Sequence, residues 1–144
     1  MAAMGPRPAV LLLLAACLAL ASGDLWNPLH DLFRKNHMDM PKTEAINNNA
    51  YCNKMMWERL LYWKFSNTFI HGPTNVNNFD INTVCTTGGT AAGANKQESK
   101  GTCSITVCTF NPWSLSYTGV SSTAKIVLVC LDGQAVLFVK SISA

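Results

Sequence analysis

Three histidines, His30, His37 and His71, are the only imidazoles in the chain, and all lie in its first half. Imidazole is the side chain that most readily gains or loses a proton near neutral pH, so any histidine acid or base must come from this set. His37 closes a stretch with helical periodicity and follows Asn36, a polar neighbour able to orient a ring. By itself it reads first as a surface or helix-capping histidine. Lys64 stands between Trp63 and Phe65, where its aliphatic stem can pack on rings while the ammonium reaches a cleft. By itself it too reads first as a plain surface lysine. Other chemistries lack their residues: there is no Gly-rich phosphate loop, no HExxH, no nucleophile elbow and no CxxC pair. Neither a metal nor an organic cofactor is expected.

The elements that must position these groups begin after a leader. From Ala9 to Ala21 the chain carries no charge, with Arg7 ahead of the run and Ala21-Ser22-Gly23 behind it. A basic start, a short apolar run and a small-residue exit describe a secretory signal peptide over 1–23. The run is too short to span a bilayer, which takes roughly 20 apolar residues, so stable membrane insertion is not expected. Residues 24–144 are expected to form one extracellular domain.

Removing Arg7 with the leader leaves ten Lys and Arg against eight Asp and Glu, too slight an excess to argue for nucleic acid or membranes by itself. Cys17 also leaves, and Cys52, Cys85, Cys103, Cys108 and Cys130 meet an oxidising compartment where disulfides are the default. One thiol is left over, and spacing alone does not choose the pairs. No Asn-x-Ser/Thr sequon is present, so N-glycosylation is not expected.

Asn27-Pro28 has the form of a helix start, with Asn as N-cap and Pro first in the helix. Leu29, Leu32 and Phe33 follow at the spacing of one buried face, which predicts a helix to about His37. A second helix is predicted over Asn49–Leu61, with Cys52, Met55, Met56 and Leu60 as its core stripe. Strands are predicted over Asn67–His71, Asn78–Cys85, Thr102–Phe110, Lys125–Leu131 and Ala135–Lys140. Asp132-Gly133 is a strong hairpin signal between the last two. The stretch Thr86–Gly101, small, polar and rich in glycine, reads as a mobile loop. In the strand over Thr102–Phe110, Cys103 and Cys108 fall on opposite faces and should not pair with each other. Helices first and antiparallel strands after define an α+β domain.

The segment Lys64-Phe-Ser-Asn67-Thr68-Phe69-Ile-His71 resembles the signature Cys-Lys-x-x-Asn-Thr-Phe of the pancreatic-type (ribonuclease A) superfamily, which includes angiogenin, with Trp63 in the place of the cysteine. Upstream, Phe33-Arg-Lys-Asn-His37-Met-Asp39 resembles the helix that carries the family's first catalytic histidine. Ala50-Tyr-Cys52-Asn-Lys-Met-Met56 resembles its second helix, and Cys103–Cys108 and Ile126–Cys130 its paired core strands. The resemblance covers most of residues 26–140. It implies a ribonuclease A-like fold, with N-terminal helices packed on a curved antiparallel β-sheet and disulfides holding it.

It also implies roles, residue by residue. His37 matches the general base that takes the ribose 2′-hydroxyl proton, and Lys64 the lysine that balances charge on the phosphoryl oxygens. Thr68 matches the threonine that reads a pyrimidine edge. Asn36 stands where a glutamine touches the phosphate, and Phe138 where a backbone N–H meets it. His71 matches a histidine of largely structural role. The second catalytic histidine is missing: the family reads Val-His-Phe or Val-His-Leu where this chain reads Val136-Leu137-Phe138. Leu137 has no proton to give to the departing 5′-oxygen, so catalysis is expected to be very weak or absent, unless water or Lys140 substitutes.

The bridges implied are Cys52–Cys108 and Cys85–Cys130, with Cys103 as a buried thiol at an apolar position. Trp63 and the cysteine-free stretch Trp113–Tyr117 remove both ends of a third family bridge together. Three functions follow as expectations: a secreted protein that binds RNA, a cell-surface receptor or another extracellular protein without cleaving; a weak endoribonuclease cutting 3′ of pyrimidines; or a host-defence protein, which the low charge disfavours.

Overall fold

The computed structural model describes residues 26–144 apart from positions 75 and 77. The leader expected over 1–23 lies outside the described residues. Helix α1 covers Pro28–His37 and α2 covers Asn48–Glu58. The strands are β1 (Ser66–Gly72), β2 (Gly89–Ala91), β3 (Lys96–Ser99), β4 (Cys103–Asn111), β5 (Ser116–Leu131) and β6 (Gln134–Ser143). They form one antiparallel sheet in the order β1-β4-β5-β3-β2, with β6 also paired to β5. The α+β architecture is the one expected.

Alternation along the strands divides the core in two. Ile70, Cys103, Ile105, Ile126 and Leu128 pack with Phe33 of α1, while Phe69, Cys108 and Tyr117 pack with Tyr51, Cys52, Met55 and Met56 of α2. Cys103 and Cys108 thus serve opposite faces. Cys108 bonds Cys52 and Cys130 bonds Cys85, closing separations of 56 and 45 residues. In the chain-entropy account each bridge contributes on the order of 4 kcal/mol. Cys103 is a buried free thiol. Helix α2 lies so close to β5 that a Cβ at Gly119 would collide with the Asn48 carbonyl oxygen and lie 2.7 Å from Cys52 Sγ.

Local chemistry fixes the ends of the elements. Asn27 Oδ1 accepts from the Leu29 and His30 amides at 3.0 and 3.2 Å, capping α1 as expected. The β5–β6 turn places Asp132 at φ 51° and Gly133 at φ 75°, the conformation of a tight primed turn. Helix α2 ends earlier than predicted. The Leu61 amide donates to the Met56 carbonyl and the Leu60 amide to that of Trp57, a Schellman motif with Leu60 in the left-handed region at φ 57°. Leu60 is therefore exposed rather than in the core stripe, and Leu61 takes the buried place.

Other expectations are corrected. Leu29 and Leu32 are half exposed, because α1 buries a narrow stripe formed by Phe33 and His37. No strand forms over Asn78–Cys85. Asp80 caps a 3-10 helix over Ile81–Cys85 by accepting from the Asn82 amide, and this local turn overrides the apolar pattern. The stretch Thr86–Gly101 is not a mobile loop. It contains the β2–β3 hairpin, ordered because β3 pairs with β5 through Gln97 and Leu128. β5 begins at Ser116, well before Lys125, because its polar first half pairs fully with β4.

Candidate active site

Helix α1 ends at His37 and the chain turns there onto the sheet. Met38 bridges Ile70, and the Asp39 amide donates to the Ile70 carbonyl at 3.0 Å. This turn is tied down by buried Asp39, whose carboxylate accepts from the Thr43 amide, the Thr43 hydroxyl and the Tyr51 hydroxyl. Arg59 reinforces it from the C-cap of α2. Its guanidinium donates to the Lys35 carbonyl at 2.6 Å, at the end of α1, and lies 3.7 Å from Asp39 Oδ1. Arg59 acts on backbone that only the fold brings to it, and the local bonds of Asp39 to Thr43 carry no sequence signature of their own.

His37 is buried at 8% exposure, between Phe33 at 5.2 Å and Phe138 at 5.3 Å, centroid to centroid. Its Nδ1 lies 2.9 Å from the Thr68 carbonyl oxygen. A carbonyl only accepts, so Nδ1 carries the proton and Nε2 keeps a lone pair. Burial lowers the pKa of the ring to about 4, the bond to Thr68 opposes that shift, and the Lys64 charge adds to it. The imidazole is neutral at pH 7, a proton acceptor.

Lys64 reaches the same site from the segment before β1. Its Nζ donates to Asn67 Oδ1 at 3.0 Å, and partial burial lowers its pKa. Asn67 is buried, and its Nδ2 donates to the Asn36 carbonyl at 2.8 Å. One amide therefore joins the lysine to the end of α1. Asn67 positions Lys64 against the end of α1, and its one sequence signal is its place between Lys64 and Thr68. Behind this segment the Tyr117 hydroxyl donates to the Lys64 carbonyl.

Thr68, Asn36 and Phe138 complete the group. Thr68 is buried in β1 and pairs across to Val107 of β4, whose side chain offers no polar group. Asn36 Oδ1 is buried without a protein partner, an orphan of the kind that asks for an explanation at a binding site. Phe138, on β6, stands over His37. Leu137 beside it faces solvent at 61% exposure. His71 is buried on another path: Nδ1–H donates to the Asp39 carbonyl and Nε2 accepts from the Thr106 hydroxyl, each at 2.8 Å. Lys140 is exposed and pairs with Val127.

A separate groove of about 840 Å³ lies along α1 and residues 78–82, lined by Arg34, Lys35 and Arg59 but also by Asp31, Asp39 and Asp80. His37, Lys64 and Thr68 do not line it, and its mixed charges favour no one ligand. No group of three or more His, Cys, Asp or Glu that could hold a metal occurs among the described residues. No described helix is long and apolar enough to cross a membrane.

Among the described residues, two helices packed on a six-stranded antiparallel sheet bring a buried imidazole from α1 together with a threonine of β1 and the lysine just before it. Residues 29–139 match the family model described as pancreatic ribonuclease. A ribonuclease of Chelydra serpentina is 33% identical over 120 residues, which is 78% of this chain and 98% of the relative. Angiogenin of Gallus gallus is 39% identical over 77 residues, covering 50% of this chain and 53% of the relative. The crystal structure of green turtle egg white ribonuclease superposes with a TM-score of 0.71 at 32% identity, covering 79% of this chain and 98% of that one. The chain belongs to the pancreatic ribonuclease (ribonuclease A) family.

Proposed function

We propose that the protein is secreted, with a leader over 1–23 and one domain over 24–144, and that it binds RNA in the His37 cleft with little or no cleavage. In this reading His37 Nε2 faces the ribose 2′-hydroxyl, Lys64 balances phosphoryl charge, and Thr68 meets a pyrimidine edge. The Asn36 amide and the Phe138 backbone N–H hold the phosphate. The observation that carries the proposal is Leu137, a solvent-facing hydrocarbon beside Phe138 where the family carries its second histidine. A positioned acid is commonly worth about 10² to 10⁴ in rate, and a leucine supplies none of it. The base is weakened as well. Burial between two phenyl rings holds His37 near pKa 4, and a base that far below working pH has little drive to take a proton.

A weak endoribonuclease is the second reading, favoured by the joint presence of an acceptor nitrogen on His37 and a charged Lys64. The two separate when a labelled pyrimidine–purine oligoribonucleotide is incubated with residues 24–144. The proposal expects binding, seen as raised anisotropy and weakened in Lys64→Gln, with the strand intact on a gel after hours. Cleavage that disappears in His37→Ala would replace it with the second reading.

A further inference from the structure

Trp63 fills the place of an absent family cysteine, and nothing in the chemistry above uses it. The residue is 76% exposed, yet its ring is held in place. The indole Nε1–H donates to the Leu60 carbonyl at 3.1 Å, and Leu60 belongs to the turn that closes α2. The Lys64 ammonium lies 5.8 Å from the centre of the ring, so the indole borders the cleft that Lys64 enters. Phe65 and Trp57 are also largely exposed.

The indole is fixed by its edge and carries the Lys64 ammonium over one face, which leaves the opposite face for a base, and an aromatic ring paired with a cation is the combination that single-strand binders use. The cation meets the backbone, and the ring stacks on an unpaired base of any sequence. A buried protein contact would engage Phe65 and Trp57 as much as Trp63. Only Trp63 has the cation beside it, and Lys64 is itself bonded to Asn67 within the candidate active site.

We propose that Trp63 is a stacking platform for an unpaired nucleobase adjoining the phosphate held at Lys64. The inference rests on the RNA-binding reading above and adds a base subsite to it. The test compares fluorescein-labelled oligouridylate with a ribose-phosphate strand of equal length that lacks bases, each titrated into residues 24–144. Trp63→Ala is expected to weaken oligouridylate binding roughly 10-fold, Trp63→Phe to recover most of it, and neither to change binding of the abasic strand. Lys64→Gln should weaken both strands.

Equal affinity of Trp63→Ala and the unaltered protein for oligouridylate would overturn the platform while the Lys64 effect kept the cleft standing. So would an equal loss on the abasic strand, which would show Trp63 acting through Lys64 or the backbone. Failure of the unaltered protein to bind either strand would remove the cleft reading and the platform together. Trp63 is exposed, so thermal unfolding of its variants should match that of the unaltered protein, and a large drop would also count against the platform by making Trp63 structural.

Discussion

Protonating His37 places a charge between the rings of Phe33 and Phe138 with 8% of the residue open to water. The folded protein resists this, which is why the pKa falls from 6.5 to about 4, with burial as the largest cause. In the unfolded chain the ring titrates near 6.5, so between these values the unfolded state binds the proton that the folded state refuses. Stability is full above about pH 6.5, declines as pH falls towards 4, and levels below that for this group. The difference in pKa corresponds to about 3 kcal/mol. His71 is also lowered by burial, so the total decline mixes two rings, and His37→Gln is needed to separate them. Urea unfolding with both disulfides intact, at pH 7.5, 6, 5 and 4, should show the unaltered protein losing about 3 kcal/mol more than His37→Gln across the range. Parallel curves for the two proteins, or an NMR titration of His37 with a midpoint above 6, would refute the reasoning.

Two further outcomes test the packing. Gly119→Ala drives a methyl group into the Asn48 carbonyl and the Cys52 sulfur and should destabilise by roughly 1–3 kcal/mol, read as a lower urea midpoint with both disulfides formed. The Cys103 thiol is 3% exposed, and burial pushes its pKa up to about 11. It should therefore ignore a thiol reagent at pH 8 in the native protein and react once the chain is unfolded in urea.

Where sequence and structure agree, local rules sufficed. The Asn27 cap and the Asp132-Gly133 turn each depend on residues a few positions apart. The disulfides Cys52–Cys108 and Cys85–Cys130 were legible only through family resemblance, since pairing is a matter of distance in space. The misses have different causes. The β2–β3 hairpin within Thr86–Gly101 is held by backbone pairing to residues about 30 positions later, which composition does not record. Asn78–Cys85 alternates well enough for a strand, but the Asp80 side chain satisfies the backbone locally and a 3-10 helix forms instead. At the candidate site, His37, Lys64 and Thr68 were named from their motifs. The Asn67 amide that connects Lys64 to α1, and the Arg59 and Asp39 groups that fix the end of that helix, became visible only once α2 and β1 were in place.

Leu137 is the residue on which the proposed function turns, and restoring a histidine there is the direct test. Initial rates of cleavage of a fluorogenic pyrimidine–purine oligoribonucleotide should be at background for the unaltered protein. They should rise by at least about 10²-fold in Leu137→His and return to background in the double variant with His37→Ala. Robust turnover by the unaltered protein, abolished by His37→Ala, would contradict the account and would mean that a proton donor other than residue 137 completes the site.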